Sequence, residues 1–281
     1  MSVYTVTRDD FTNVRRSSVV LGVIAVFTVL VALVFGALID YHDYGYRSLW
    51  DVSFLVALVL PLIAAPLTYL SIAGDRTSGA ITFSLGLPNS RRSYFLGKYL
   101  SRVTVAVAAV AVSTAVGFLV ATLTFTNGAD PVRFLVFVGV SGLYATAIAG
   151  TFVAISALTA SRSRAMFGVL AAYFLLVLFW GNVLPVVQLN AVLDAVASAL
   201  GVTLSQWTRD MVSVLSPMQA YLLSTEFVYA GVLDRHDVFA VFTEDPDALP
   251  NKAWFAVVVL VAWSVLAPLA GYLGFRRAEL G

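Results

Sequence analysis

Cysteine is absent from the 281 residues, so the chain can form no disulfide and offers no thiolate to a metal or a substrate. Histidine occurs only as His42 and His236, in separate polar stretches. Two histidines, four methionines and no cysteine make no cluster for copper or another soft metal, and no H-E-x-x-H spacing exists. A phosphate-cradling loop is missing too. Gly97-Lys98 is followed by Tyr99, and Arg92 stands where the first glycine of G-x-x-x-x-G-K belongs. There is no G-x-S-x-G elbow. Asp234-Arg235-His236-Asp237 has residue types suited to acid–base work but lies in a polar loop, where a solvated charge run is the better reading. The sequence therefore points away from an enzyme, and no cofactor site is expected. Charge is scarce as well: 12% of residues are charged, against about 25% in soluble domains.

What is present is apolar. Sixty per cent of residues are hydrophobic and the mean hydropathy is +0.90, so lipid is the solvent for most of the chain. Six runs meet the requirement of about 20 residues for crossing about 30 Å of hydrocarbon: Ser17–Ile39, Val52–Ala73, Val103–Phe125, Phe134–Ala160, Ala165–Val187 and Ala253–Phe275. The first is too long for a signal-peptide core of about 7–15 residues and is read as a retained helix. Pro61 and Pro66 are expected to bend the second. Before the first run, Val3, Thr7, Phe11 and Val14 share a helical face, the pattern of an amphipathic helix lying on a membrane. The fold class expected is an all-α integral membrane protein forming a single transmembrane domain over 1–281.

Charge distribution sets the orientation. The N-terminus, residues 74–102, residues 161–164 and the C-terminal tail hold 12 of the 17 basic residues and 4 of the 16 acids. The positive-inside bias places these segments, and both termini, in the cytoplasm of a multi-pass plasma-membrane protein. No Asp, Glu, Lys, Arg or His lies within the six runs. Ion-coupled transport needs ionisable groups at membrane depth, so energy for any uphill transport has to come from outside the membrane. Two rows of small residues, Ala109–Ser113–Gly117–Ala121 and Gly142–Thr146–Gly150–Ala154, suit close helix packing, within one chain ahead of between two. Residues 188–252 form an outer segment in which Leu189–Leu204 and Met211–Leu222 carry helical spacing, with Trp207 as an interfacial anchor and an acidic loop at 234–251.

The most polar stretch, residues 74–102, carries the one ordered motif. Asp75-Arg76 and Gly79 precede an apolar patch of Ile81, Phe83, Leu85 and Leu87. Pro88, Ser90, Arg91 and Arg92 follow, and Gly97-Lys98 stands before the third run. Pro88 stops a helix, Ser90 can cap the next, and Arg91 and Arg92 suit acids of a partner, anionic lipid head groups or a plain membrane anchor. By period alone the alternation of the patch reads as a strand, yet a lone strand at a membrane surface is unstable.

This ordered set resembles the first cytoplasmic loop of type-2 ABC exporter permeases of the NosY-like group, and the six-run layout, the amphipathic N-terminus, Ser216-Pro217 and Ala220-Tyr221 fit the same group. Thr77-Ser78 and Thr82 depart from the Glu and Leu usual in it. The resemblance implies a permease subunit that pairs with a second permease, as homo- or heterodimer, and with separate cytosolic ATPase subunits. It also implies that the patch forms a short coupling helix which, with the N-terminal helix, contacts the ATPase, and that no nucleic acid is involved. Thr104, Ser113, Thr114, Thr122, Thr146, Thr151, Ser156 and Asn182 are candidates for a polar route. The alternative is a non-transporting membrane anchor that recruits a cytosolic partner through the same loop.

Overall fold

The computed structural model describes residues 2–86, 89–184, 188–231, 245 and 247–278. Every regular element among them is helical. Leu87 of the apolar patch, Pro88 after it, and His236 with its charged neighbours lie outside the described residues.

Helix α1 (Val3–Arg15) begins at Ser2, whose Oγ accepts from Thr5 N–H at 3.3 Å. Its buried stripe is Val6, Asp10 and Val14, four residues apart, with Phe11 half-buried beside it. Helix α2 (Ser18–Ala37) is the first apolar crossing and α3 (Leu49–Thr68) the second. Two short helices follow, α4 (Ala73–Thr77) and α5 (Ala80–Gly86). Ile81, Phe83 and Leu85 are thus helical despite their alternation.

Helix α6 (Arg91–Thr124) has 34 residues and is about 51 Å long, well beyond about 30 Å of hydrocarbon. Its first three turns, including Lys98 and Arg102, continue the membrane helix instead of forming a loop. Helix α7 (Pro131–Leu158) starts three residues earlier than its apolar run. Asp130 caps it by accepting from Val132 N–H at 2.9 Å, and Pro131 occupies the first turn, where its missing N–H costs nothing. Helix α8 (Arg162–Tyr173) passes into one π turn, Phe174–Phe179, closed by Trp180 N–H on Leu175 O at 2.9 Å. The fifth crossing is therefore Arg162–Phe179, shorter than the apolar run suggests.

The outer segment folds as α9 (Leu189–Ala199), α10 (Gln206–Val214) and α11 (Pro217–Ser224). The helical spacing of 211–222 is split at Ser216-Pro217, where Ser216 caps a new helix. Helix α11 is not a surface element: Met218, Ala220, Tyr221, Leu222 and Leu223 are buried against α3, α7 and the last helix, α12 (Ala253–Arg277). Six helical stretches are long and apolar enough to cross a membrane, as the composition requires.

Helix α7 is the hub, packing on α3, α6 and α12. Both rows of small residues serve packing within the chain, the α6 row against α2 and the α7 row against α6 and α12. A Cβ on Gly117 would lie 2.5 Å from the Phe35 ring of α2, and Ser113 shares a 3.0 Å hydrogen bond with Thr28. On the α7 row, Ala154 meets Gly271 of α12, where a Cβ would come within 2.5 Å of the Ala154 backbone.

Proline inside a membrane helix leaves the carbonyl four residues earlier without its N–H partner. For Pro61 that carbonyl is Ala57 O, which accepts from Tyr144 Oη of α7 at 2.8 Å. For Pro268 it is Ser264 O, which accepts from Tyr99 Oη of α6 at 3.0 Å. Two tyrosines on neighbouring helices thus replace two missing backbone donors.

Candidate functional site

The basic segments read from the sequence gather at one end of the bundle, called the inner end after the orientation expected from the charge bias. Its most exposed large apolar side chain is Phe83, on α5. Gly79 (φ +76°) reverses the chain between α4 and α5 in the left-handed region that glycine adopts without strain. Helix α5 then packs Ile81 and Leu85, one turn apart, on Ile72, Tyr94, Phe95, Val153, Ala157 and Phe275. That cluster joins the ends of α6, α7 and α12. Phe83 points the other way and is 83% exposed. Among the apolar residues read as a coupling patch, therefore, Ile81 and Leu85 anchor the helix and Phe83 presents itself to the surroundings.

The break between α3 and α4 is bridged from α7. Ser156 Oγ accepts from the N–H groups of Ile72 and Ala73 at 3.1 and 3.0 Å and donates to Tyr69 O at 2.8 Å. Arg76 Nη1 donates to Ala157 O and Thr159 O, both at 3.2 Å, placing a cation at the negative C-terminal end of α7. Arg91 does the same for α12, donating from Nη1 to Phe275 O, Arg276 O and Ala278 O at 3.3, 2.7 and 2.8 Å. Ser90 is the N-cap of α6, as its position suggested, accepting from Ser93 N–H at 3.0 Å. Arg92 is exposed.

Asp75 and Lys98 belong to a network whose centre the motif does not contain. Lys98 Nζ lies 2.8 Å from Asp10 Oδ1 and 2.9 Å from Asp75 Oδ2. Tyr94 Oη donates to Asp75 Oδ2 at 2.5 Å. Arg102 Nη2 reaches Asp10 Oδ1 at 3.3 Å, and its Nη1 donates to Leu67 O at 3.0 Å. Two carboxylates and two cations balance, so the network fastens α1 to α4 and α6 without leaving net charge. Asp10 is 7% exposed and Lys98 13%, burial that an unpaired ion would not tolerate. Gly97 serves the same joint: a Cβ there would lie 2.5 Å from Val6 Cγ1 and 3.1 Å from Thr7 N. Asp10, Tyr94 and Arg102 are thus site residues that the motif reading missed. The available signal was an acid on the apolar stripe of α1, facing a chain segment rich in cations.

The expected polar route is dispersed. Thr104 and Thr122 are exposed on α6, each donating to the carbonyl four residues back. Ser113, Thr114, Thr151 and Ser156 are buried inside the bundle. Asn182 lies at the opposite end, at the mouth of a cavity of ≈ 410 Å³ that it shares with Asn190, Gln206, Asp210 and Asn251. Among the described residues no group of three or more His, Asp or Glu stands together to hold a metal ion.

Inner-end anchoring of a short apolar helix between the second and third crossings is consistent with a wider likeness. A family model described as ABC-2 family transporter protein matches residues 4–280. A search of curated proteins finds no match. Since that match spans all six crossings together with α1 and the α4–α5 elbow, the chain belongs to the ABC-2 transporter family and is a multi-pass, type-2 ABC permease.

Proposed function

We propose that this permease works as half of an ATP-driven exporter in the plasma membrane, paired with a second permease subunit and driven by separate cytosolic ATPase chains. The observation that carries the reading is α5, a helix fixed on one face by Ile81 and Leu85 while Phe83 stands out from the other. An exposed aromatic ring on an anchored helix suits an apolar socket on a partner. The positive-inside bias places this end in the cytoplasm, where ATP is available.

Coupling follows from the connections of α5. Movement of α5 is passed through Ile81 to the inner ends of α6, α7 and α12 and, through Asp75 and Lys98, to α1. Hydrolysis belongs to the partner, because the chain carries no phosphate-binding loop and its six apolar runs carry no ionisable side chain with which to couple transport to an ion gradient.

The test is co-purification from native membranes, comparing wild type with Phe83→Asp. The expected result is an ABC-type ATPase retained by wild type and lost by the variant, with both proteins melting at the same temperature in detergent. Recovery of a cytosolic protein that changes nothing on adding nucleotide would mark a membrane anchor and overturn the transport reading.

A further inference from the structure

A groove of ≈ 590 Å³ runs between α6 and α12 at the inner end. Its α6 wall is Arg92, Phe95, Leu96 and Tyr99, one helical face at spacings of three and four. Its α12 wall runs from Ser264 through Pro268 and Tyr272 to Arg276. Ser264 to Arg276 spans about 18 Å at ~1.5 Å per residue, close to the ~15 Å of one leaflet. The floor is apolar and aromatic, and both charges stand at the inner mouth.

Arg91 caps α12, whereas Arg92 and Arg276 are exposed and have no ion-pair partner among the described residues. The N-terminus of α6 opens beside Arg92 and adds its positive dipole end. Tyr99, held on Ser264 O, and Pro268, which lacks the N–H, shape the deep part of the groove. Val265 and Leu269 leave apolar surface open within it, at 55% and 47% exposure.

We infer that this groove binds one anionic phospholipid, its phosphate held between Arg92 and Arg276 and one acyl chain laid along Phe95, Leu96, Val265 and Leu269. Charge complementarity selects the head group. The length and apolar lining select a chain lying in the bilayer over a soluble anion. Bound there, the lipid bridges α6 and α12, the same two helices whose inner ends carry the Ile81 cluster.

The experiment uses the whole protein, delipidated in mild detergent and titrated with phosphatidylglycerol or with phosphatidylcholine of the same acyl chains. Native mass spectrometry counts the bound lipid. Each arginine near an anionic head group contributes about fivefold, so Arg92→Gln with Arg276→Gln is expected to weaken phosphatidylglycerol about thirtyfold and phosphatidylcholine, whose choline cation offsets the same phosphate charge, by much less. Leu269→Trp, which fills the groove from an exposed position, is expected to weaken phosphatidylglycerol with both arginines intact. Unchanged melting temperatures show that the variants fold. Equal binding of the two lipids by wild type, or unchanged phosphatidylglycerol binding in the double variant, overturns the inference. Displacement by millimolar inorganic phosphate, with no effect of Leu269→Trp, makes this a free-phosphate site and refutes the lipid. A wild-type dimer that excludes lipid until it is dissociated assigns the groove to a second copy and refutes it equally.

Discussion

Tyr144→Phe tests whether a tyrosine hydroxyl replaces the backbone donor that proline removes. The substitution deletes the 2.8 Å bond to Ala57 O and keeps the ring, which stays stacked on Tyr221 at 4.6 Å between centroids. A net hydrogen bond is worth about 1 kcal/mol, and side-chain bonds in membrane bundles average about 0.6 with a maximum near 1.7 kcal/mol. Here the carbonyl is left without a donor inside the bundle, which moves the expected cost toward the upper end, about 1.5 kcal/mol. Pro61→Ala returns an N–H to position 61, which can close the ordinary helical bond to Ala57 O. In that background Tyr144→Phe is expected to cost only about 0.5 kcal/mol, a coupling of about 1 kcal/mol between the two sites. The assay is unfolding in mixed micelles at increasing sodium dodecyl sulfate, followed by tryptophan fluorescence, over all four members of the cycle. An equal cost of Tyr144→Phe in both backgrounds would refute the idea that tyrosine and proline are linked through this carbonyl.

Three further outcomes follow from the inner end. Ile81→Ala is expected to lower stability by about 2–4 kcal/mol because it opens a cavity among Tyr94, Phe95 and Phe275, while Phe83→Ala changes it by less than about 0.5 kcal/mol; the same micelle unfolding separates them. Asp10→Asn removes the charge that faces Lys98 and Arg102, and is expected to cost about 1–3 kcal/mol, read as faster hydrogen exchange over residues 3–15. Gly97→Val drives a side chain into Val6 and is expected to release α1 to proteolysis while the melting of the six-helix body stays near wild type; full protection of α1 in this variant would show that the close approach is not needed.

Much of this fold was legible because composition alone dictates it. Runs of about 20 apolar residues have one stable state in a bilayer, a helix that satisfies its own backbone, and six such runs give six crossings. Local chemistry was legible in the same way: Ser90 caps α6 because a hydroxyl before a helical run accepts an orphan N–H. By period alone the shape of 81–85 was not, since a two-residue alternation fits a strand as well as one flank of a short helix; the family resemblance favoured the helix, and the packing of Ile81 and Leu85 on Tyr94 and Phe275 gives its physical reason. The arginines were ambiguous for a related reason. Lipid anchor, partner contact and helix cap all call for a cation near a membrane surface, and Arg91 became a cap because the end of α12 arrives beside it.

The sequence by itself determined the class of the protein, the number of crossings and the gathering of positive charge on one side, because these depend on the solvent each segment prefers. Tertiary structure alone decided which groups meet: Asp10 with Lys98 and Arg102, Tyr144 with the carbonyl freed by Pro61, and Phe83 outward while Ile81 turns in. The first two join residues far apart in the chain, and the third depends on distant residues packing against Ile81, so no local pattern encodes them. They arise when helices of fixed length, made to lie side by side in a membrane, draw partners for buried charges and freed carbonyls from one another.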